Sequence, residues 1–190
     1  MDRLIIIDDV ISKGYQNLIE DNFTSTSIPW QFVKNITDDT RIEKPNISGF
    51  AFNIFYSDDN FKTDYADLLT PLLYEAVDKW EKGKEIKKLL RIRAGMFVRN
   101  QTDKPHQSHV DRDDFHYTML YYVNDSDGPT SIFDYKLEAI YGGEKKGEKV
   151  IQEIEPKKGR AVIMTGDTYH SSSCPRNHIN RIVINYNFVV

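Results

Sequence analysis

Cysteine is nearly missing. Cys174 stands alone among 190 residues. No internal disulfide can form, which fits a reducing compartment. Long apolar runs are missing as well: none approaches the roughly 20 residues of a membrane-spanning helix. Leu4-Ile5-Ile6-Ile7 is too short for a signal-peptide core and runs into Asp8-Asp9. A cytoplasmic location is therefore expected. The Asn-x-Ser/Thr triplets at Asn22, Asn35 and Asn46 are then composition rather than glycosylation sites. A basic stripe is the third absence. The formal net charge is -4. The short basic clusters are Lys87-Lys88 with Arg91 and Arg93, Lys145-Lys146, and Lys157-Lys158 with Arg160. Each is interleaved with Glu or apolar residues and reads as solvated surface and turn charge. This counts against a nucleic acid partner.

What is present is aromatic and β-prone, with 11 Tyr and 10 Phe. That argues for a packed, strand-rich core and against disorder. The length suits one domain, residues 1–190, with no repeat and no linker. Within it, 1–88 reads as a helical N-terminal support and 89–190 as a strand-rich core. Leu4 to Ile7 reads as a strand. Val10 to Glu20 reads as a helix, with Ile11, Tyr15, Leu18 and Ile19 on one face. Trp30 to Ile36 and Ile47 to Phe55 are strand-like. Tyr65, Leu68, Leu69, Leu72, Leu73, Ala76, Val77 and Trp80 recur at three- and four-residue steps, which predicts a helix lying flat on a sheet. From Leu89 the segments are short and separated by turn residues. Strands are expected over Leu89–Asn100, His116–Asn124, Thr130–Phe133, Leu137–Tyr141, Val150–Ile154, Arg160–Thr165 and Arg181–Val189. Such spacing suggests a sandwich or jelly roll braced by the N-terminal helices.

One short segment carries chemistry. In His109-Val110-Asp111, alternate side chains of an extended chain point the same way. An imidazole and a carboxylate can then reach one first-row divalent metal. His-x-Asp alone is weak evidence. A third ligand must come from a distant strand, and His170, after the Gly166-Asp167 turn, is the candidate. Two His and one carboxylate on one face leave the other face of the metal open. His106 is a weaker alternative, since three residues apart do not face one way on a strand. His116 and His178 read as structural or surface residues. Asp113 and Asp114 read as a solvated loop. Arg181 opens the last strand and must lean outward or have a partner. Alternation places Thr118, Leu120 and Tyr122 on one inward face, and Asn185 and Asn187 on the same face as Arg181.

Taken in order, His109-Val110-Asp111, Tyr121-Tyr122-Val123-Asn124, Gly128-Pro129-Thr130, Pro156-Lys157-Lys158-Gly159, His170 and Arg181 form a pattern. It resembles the Fe(II)/2-oxoglutarate-dependent oxygenases, in particular the prolyl-4-hydroxylase-like branch with its small bacterial and phage-encoded members. The likeness covers roughly Leu89 to Val190. It implies a double-stranded β-helix, or jelly-roll, core. It implies Fe(II) on His109, Asp111 and His170, and 2-oxoglutarate held by Arg181, Tyr122 and Thr130, with ascorbate as an optional reductant. The implied activity is hydroxylation of a peptide, protein or small-molecule substrate, a prolyl residue first, with dioxygen consumed. Asp111 favours hydroxylation over halogenation, because halogenating relatives lack that carboxylate. The tyrosine that often contacts 2-oxoglutarate upstream of His-x-Asp is missing, which leaves that contact to Arg93 or Asn100. Two rivals stand beside this reading. One is a cupin-like metal- or sugar-binding module without redox activity. The other is a nucleic-acid demethylase, against which the acidic charge counts.

Overall fold

The structure, a computed structural model, describes residues 4–34, 48–100, 106–136 and 149–190. Along the chain run β1 (Leu4–Ile7), α1 (Lys13–Thr24), β2 (Gln31–Val33), β3 (Gly49–Tyr56), β4 (Phe61–Lys62), α2 (Tyr65–Trp80) and β5 (Lys88–Val98). There follow β6 (Tyr117–Tyr122), β7 (Thr130–Lys136), β8 (Val150–Ile154), β9 (Ala161–Thr165), β10 (Thr168–Ser172) and β11 (Asn180–Val189). The strand expected over Leu137–Tyr141 lies outside the described residues.

The strands form two antiparallel sheets. The larger is ordered β1-β9-β6-β11-β5-β3-β2, with β4 on β3, and the smaller β10-β7-β8. This is a mainly β, jelly-roll core. Strand alternation sorts its side chains onto two faces. On one face Ile92, Ala94, Met119, Tyr121, Ile163, Ile182, Ile184, Tyr186 and Phe188 pack against the helices. The apolar stripe of α2 supplies the other half of that core, with Ala66, Leu69, Leu72, Leu73, Ala76 and Val77 buried. Each fully buried leucine contributes about 1.5–3 kcal/mol. The Tyr186 hydroxyl, buried here, donates to the Leu69 carbonyl at 3.1 Å. On the opposite face Leu120, Tyr122, Val162 and Met164 meet Ile132 and Ile154 of the smaller sheet. The polar inward residues of β5, β6 and β11 lie between the sheets.

Three expectations shift. Helix α1 starts at Lys13 behind an N-cap at Ser12, and buries Gln16, Ile19 and Phe23. Leu18 is half exposed. The buried Gln16 donates to the Ile11 carbonyl at 2.9 Å and to Asp9 at 3.1 Å. Gly159, at φ 78°, packs so close to Gln16 that an added Cβ would lie 2.4 Å from its Cδ. A polar plug therefore fixes the rotation of α1, and hydrophobic spacing could not show it. Second, Thr168–Ser172, which is not among the strands delimited from the sequence, is the strand that carries His170. It pairs with β7, Ser171 against Ser131 and Ser172 against Thr130. Third, β1 and β3 of the N-terminal part pair directly with β9 and β5 inside the larger sheet.

Candidate functional site

Main-chain pairing assembles the site. His109 lies in an antiparallel bridge with His170 of β10. The His109 N–H donates to the His170 carbonyl at 2.9 Å, and the return bond is 3.0 Å. The two rings sit with centroids 4.8 Å apart. Asp111, two residues on, turns to the same point. One ligand atom from each of His109, Asp111 and His170 lies within 4.8 Å of the others. The Nε2 atoms stand 3.9 Å (His109) and 4.0 Å (His170) from the two Asp111 oxygens.

Each imidazole is oriented from behind. His109 Nδ1 faces the Gln107 carbonyl at 3.3 Å, and His170 Nδ1 faces the Thr168 carbonyl at 3.0 Å. A carbonyl only accepts, so Nδ1 carries the proton and Nε2 presents its lone pair. Burial and the neighbouring His170 push His109 down to about 4, which keeps it neutral and able to ligate at neutral pH.

Asp111 is clamped. Arg91 Nη2 approaches Oδ1 at 2.9 Å. Asn185 donates to both oxygens, at 3.2 and 3.0 Å. Asn187 and Thr118 each donate to Oδ2 at 3.1 Å. Burial alone would raise this carboxyl. The Arg91 charge, with His170, His109 and the Asn185 amide beside it, outweighs this and holds the group well below the usual carboxylate range. Asp111 stays ionised.

Arg181 enters from β11 and is 1% exposed. Its Nη2 donates to Thr130 Oγ1 at 2.7 Å, and that oxygen also bonds the Tyr122 hydroxyl at 2.7 Å. The guanidinium lies 5.4 Å from the Tyr122 ring centre and 5.8 Å from that of Phe97. Its Nε and Nη1 are buried without a partner, and among the described residues no carboxylate pairs with it. Burial lowers its pKa from the ordinary arginine value, and Tyr122 partly offsets that. A buried cation with two unused N–H groups costs free energy until an anion fills the gap.

The cleft joining these groups has a volume of about 100 Å³ and is open at its mouth. Its walls include His109, Asp111, His170, Thr130 and Arg181, and from β5 the inward residues Arg91, Arg93, Gly95 and Phe97. Among the sequence candidates, His109, Asp111 and His170 are brought together, and so are Arg181, Thr130 and Tyr122. Asn185 and Asn187 face inward as expected and hold Asp111. His106 lies outside the His109, Asp111 and His170 cluster. Its ring is spent on Ser172 Oγ at 2.9 Å and Cys174 Sγ at 3.4 Å. His116 is buried and faces the Asp114 carbonyl, and His178 pairs with Asp127. Asp114 pairs with Arg112. Asn100 is exposed, whereas Arg93 lines the cleft. Phe97 occupies the cleft position beside Arg181.

Arg91 and Arg93 are the correction. The charge pattern reads both as solvated surface, while the family resemblance offers Arg93 as a cosubstrate contact; both line the cleft. The signal was the alternation of Leu90, Ile92 and Ala94, which places the two arginines on the opposite face from the helical core. Gly128 has a steric reason. A Cβ there would lie 2.5 Å from the Ser173 carbonyl oxygen, in the segment that follows His170.

No protein-family model matches the sequence, and no curated protein is similar to it in sequence. Solved structures do match. An oxidoreductase of the 2OG-Fe(II) oxygenase family from Burkholderia pseudomallei aligns with TM-score 0.66 at 11% identity, over 98% of this chain and 84% of that one. The chain has the fold of the 2OG-Fe(II) oxygenases. The non-heme alpha ketoglutarate dependent epimerase SnoN from nogalamycin biosynthesis aligns with TM-score 0.65 at 10% identity, over 99% and 78%. A prolyl hydroxylase from Trichoplax adhaerens, solved with a hypoxia inducible factor oxygen degradation domain peptide, aligns with TM-score 0.60 at 12% identity, over 99% and 84%. The oxygenase fold thus extends across prolyl hydroxylases and an epimerase of small molecules. Among the described residues, no helix is long and apolar enough to cross a membrane.

Proposed function

We propose that this chain is an Fe(II)- and 2-oxoglutarate-dependent dioxygenase that hydroxylates an aliphatic C–H bond. One observation carries the reading: the cleft that gathers His109, Asp111 and His170 also holds a buried guanidinium with unused donors. A module that only binds metal or sugar has no use for Arg181 there.

The donor set fits the groups that this activity needs. Two imidazoles and one carboxylate suit a divalent first-row metal and leave coordination positions free. Arg181, with Thr130 and Tyr122 beside it, fits a carboxylate: planar, always charged and able to bind in two-pronged fashion. Iron and 2-oxoglutarate supply the oxidising chemistry, in which dioxygen places one oxygen atom on the substrate and one in succinate as carbon dioxide leaves.

The chain's own residues do the rest. Arg181 orients the cosubstrate by its far carboxylate. The Gln107 and Thr168 carbonyls hold the two imidazoles in the ligating tautomer. Arg91, Asn185, Asn187 and Thr118 keep Asp111 ionised and aimed. Leu120, Val183 and Phe97 line the cleft with apolar surface that limits water near the reacting atoms. A prolyl residue of a peptide or protein is the first substrate to try.

The test is an anaerobic titration of metal-free protein with Fe(II) and then 2-oxoglutarate. A visible charge-transfer band should appear, and should vanish in His170→Ala. Folded protein that binds metal but gives no band would instead be a cupin-like binding module.

A further inference from the structure

The oxygenase reading asks Asp111 to ligate a metal, yet the structure surrounds this carboxylate with more donors than its roughly four lone-pair sites. The donors are not shared evenly. Oδ1 receives Arg91 Nη2 at 2.9 Å and the Asn185 amide at 3.2 Å. Oδ2 receives the same amide at 3.0 Å, and Asn187 and Thr118 at 3.1 Å each. The charged donor is on one oxygen, and only neutral donors are on the other. Each oxygen also faces a different imidazole, Oδ1 toward His109 and Oδ2 toward His170. Both oxygens border the point where the ligand atoms converge, so something must choose between them.

The sheet builds that choice in. Arg91 of β5 is opposite Asn187 of β11, and Asn187 is opposite Thr118 of β6. One row across three strands thus presents a cation, an amide and a hydroxyl to a single carboxylate. The Arg91 side chain is 12% exposed and that of Asp111 5%, so salt screens their attraction little. Arg91 Nε is buried with no partner. Among the described residues, the bond to Oδ1 is what fixes the guanidinium. The donors on Oδ2 can yield. The Asn185 amide spans both oxygens and can settle on Oδ1 alone. The Thr118 hydroxyl can rotate away while its oxygen still accepts from Asn187 at 3.0 Å. A divalent cation and a guanidinium repel one another, so a metal is steered to the oxygen that carries no cation.

We propose that Arg91 is a positioning residue that reserves Oδ1 of Asp111, so that the carboxylate offers the metal Oδ2 alone. This rests on the oxygenase reading and deepens it. Both imidazoles, both Asp111 oxygens and a chelating 2-oxoglutarate would together fill an octahedral ion and leave no position for dioxygen. With Oδ1 withheld, one position stays open. The same guanidinium weakens the hold on the metal, because it repels the ion that its carboxylate attracts. Arg91 thus trades metal affinity for an open coordination position.

The experiment compares the parent with Arg91→Met and Arg91→Lys under anaerobic conditions. Calorimetry gives the Fe(II) affinity. Nitric oxide, standing in for dioxygen, is then titrated into protein loaded with Fe(II) and 2-oxoglutarate and followed by electron paramagnetic resonance. Arg91→Met frees Oδ1 and removes the repulsion. It should bind Fe(II) about tenfold or more tightly than the parent. It should also lose most of the nitrosyl signal that the parent gives at half-saturating nitric oxide. Arg91→Lys keeps a cation beside Oδ1 and should move both readings back toward the parent. Opposite shifts are the signature, because a variant that merely loosens the fold weakens both. Two weakened readings, or two unchanged ones, with the charge-transfer band of the parent in place, overturn the role of Arg91 and leave the oxygenase reading standing. If the parent forms no band, the reading beneath has failed.

Discussion

Replacing Arg181 by methionine separates cosubstrate binding from everything else in the cleft. The side chain is buried, with Nη2 on Thr130 and two N–H groups unused. Those two groups are the ones a carboxylate would occupy. Removing one partner of a buried, hydrogen-bonded ion pair costs about 3–5 kcal/mol. At about 1.4 kcal/mol per tenfold, 2-oxoglutarate should bind roughly two to three and a half orders of magnitude more weakly. Metal binding should stay within a factor of about three, because the contacts of Arg181 among the described residues are to Thr130, Tyr122 and Phe97 rather than to the His109, Asp111 and His170 cluster. Thermal unfolding reads both. At a hundred times its Kd, 2-oxoglutarate stabilises the metal-loaded parent by about 2.7 kcal/mol. For a chain of this size that is roughly 5–10 °C in Tm. Methionine at 181 should reduce the shift to about 1 °C or less. Without ligand, the variant should melt at or above the parent, because an uncompensated buried cation has been replaced by apolar surface of similar reach. Thr130 and Tyr122 keep their mutual hydrogen bond. An undiminished 2-oxoglutarate shift would refute the assignment of Arg181. Equal loss of the metal and cosubstrate shifts would show that the residue only maintains the fold.

Two further outcomes follow from buried groups. Burial, with the charges of Arg181 and His109, lowers the His106 pKa to about 3. An unfolded histidine titrates near 6.5, so this residue's contribution to stability is full above that pH and is lost as pH falls toward 3. In urea unfolding of metal-free protein between about pH 6 and pH 4, His106→Gln should flatten the pH dependence by about 1.4 kcal/mol per pH unit. Parallel slopes would mean that His106 is protonated in the fold. Gly128→Ala should destabilise by about 1–3 kcal/mol or more, since its Cβ would collide with the Ser173 carbonyl oxygen rather than a yielding side-chain tip. An unchanged midpoint in the same urea assay would show that this turn moves freely.

Legibility followed the range of the interaction. Two-residue alternation placed Thr118, Leu120 and Tyr122 on one face, and Arg181, Asn185 and Asn187 on another, because a strand fixes side-chain direction locally. It could not say that the two faces meet at Asp111, since that depends on the pairing of β6 with β11. Arg91 was misread from its charge pattern, since it follows a lysine pair. Alternation with Leu90, Ile92 and Ala94 sets Arg91 and Arg93 on one face, and the pairing of β5 with β11 turns that face toward the cleft. Helix α2 was legible because its apolar stripe is its only means of burial. Helix α1 was placed a few residues early, because a buried glutamine and a glycine contact set its position. β10 was not delimited because Thr168-Tyr169-His170-Ser171-Ser172 carries no apolar alternation, and only its backbone pairing with β7 makes it a strand.

The bridge between His109 and His170 has a consequence for how the proposed metal would enter this protein. The two residues are 61 positions apart in the numbering, and two backbone hydrogen bonds close that loop. Closing a flexible loop of that length costs about 4 kcal/mol in chain entropy. Here the sheet bears that cost before any ion arrives, unlike small zinc modules, whose metal must fold them. On the proposed reading an arriving ion would meet a formed site, and stripping it with a chelator should leave the barrel folded. Ion affinity and fold stability are thereby set by separate parts of the sequence, and either can drift without dragging the other along.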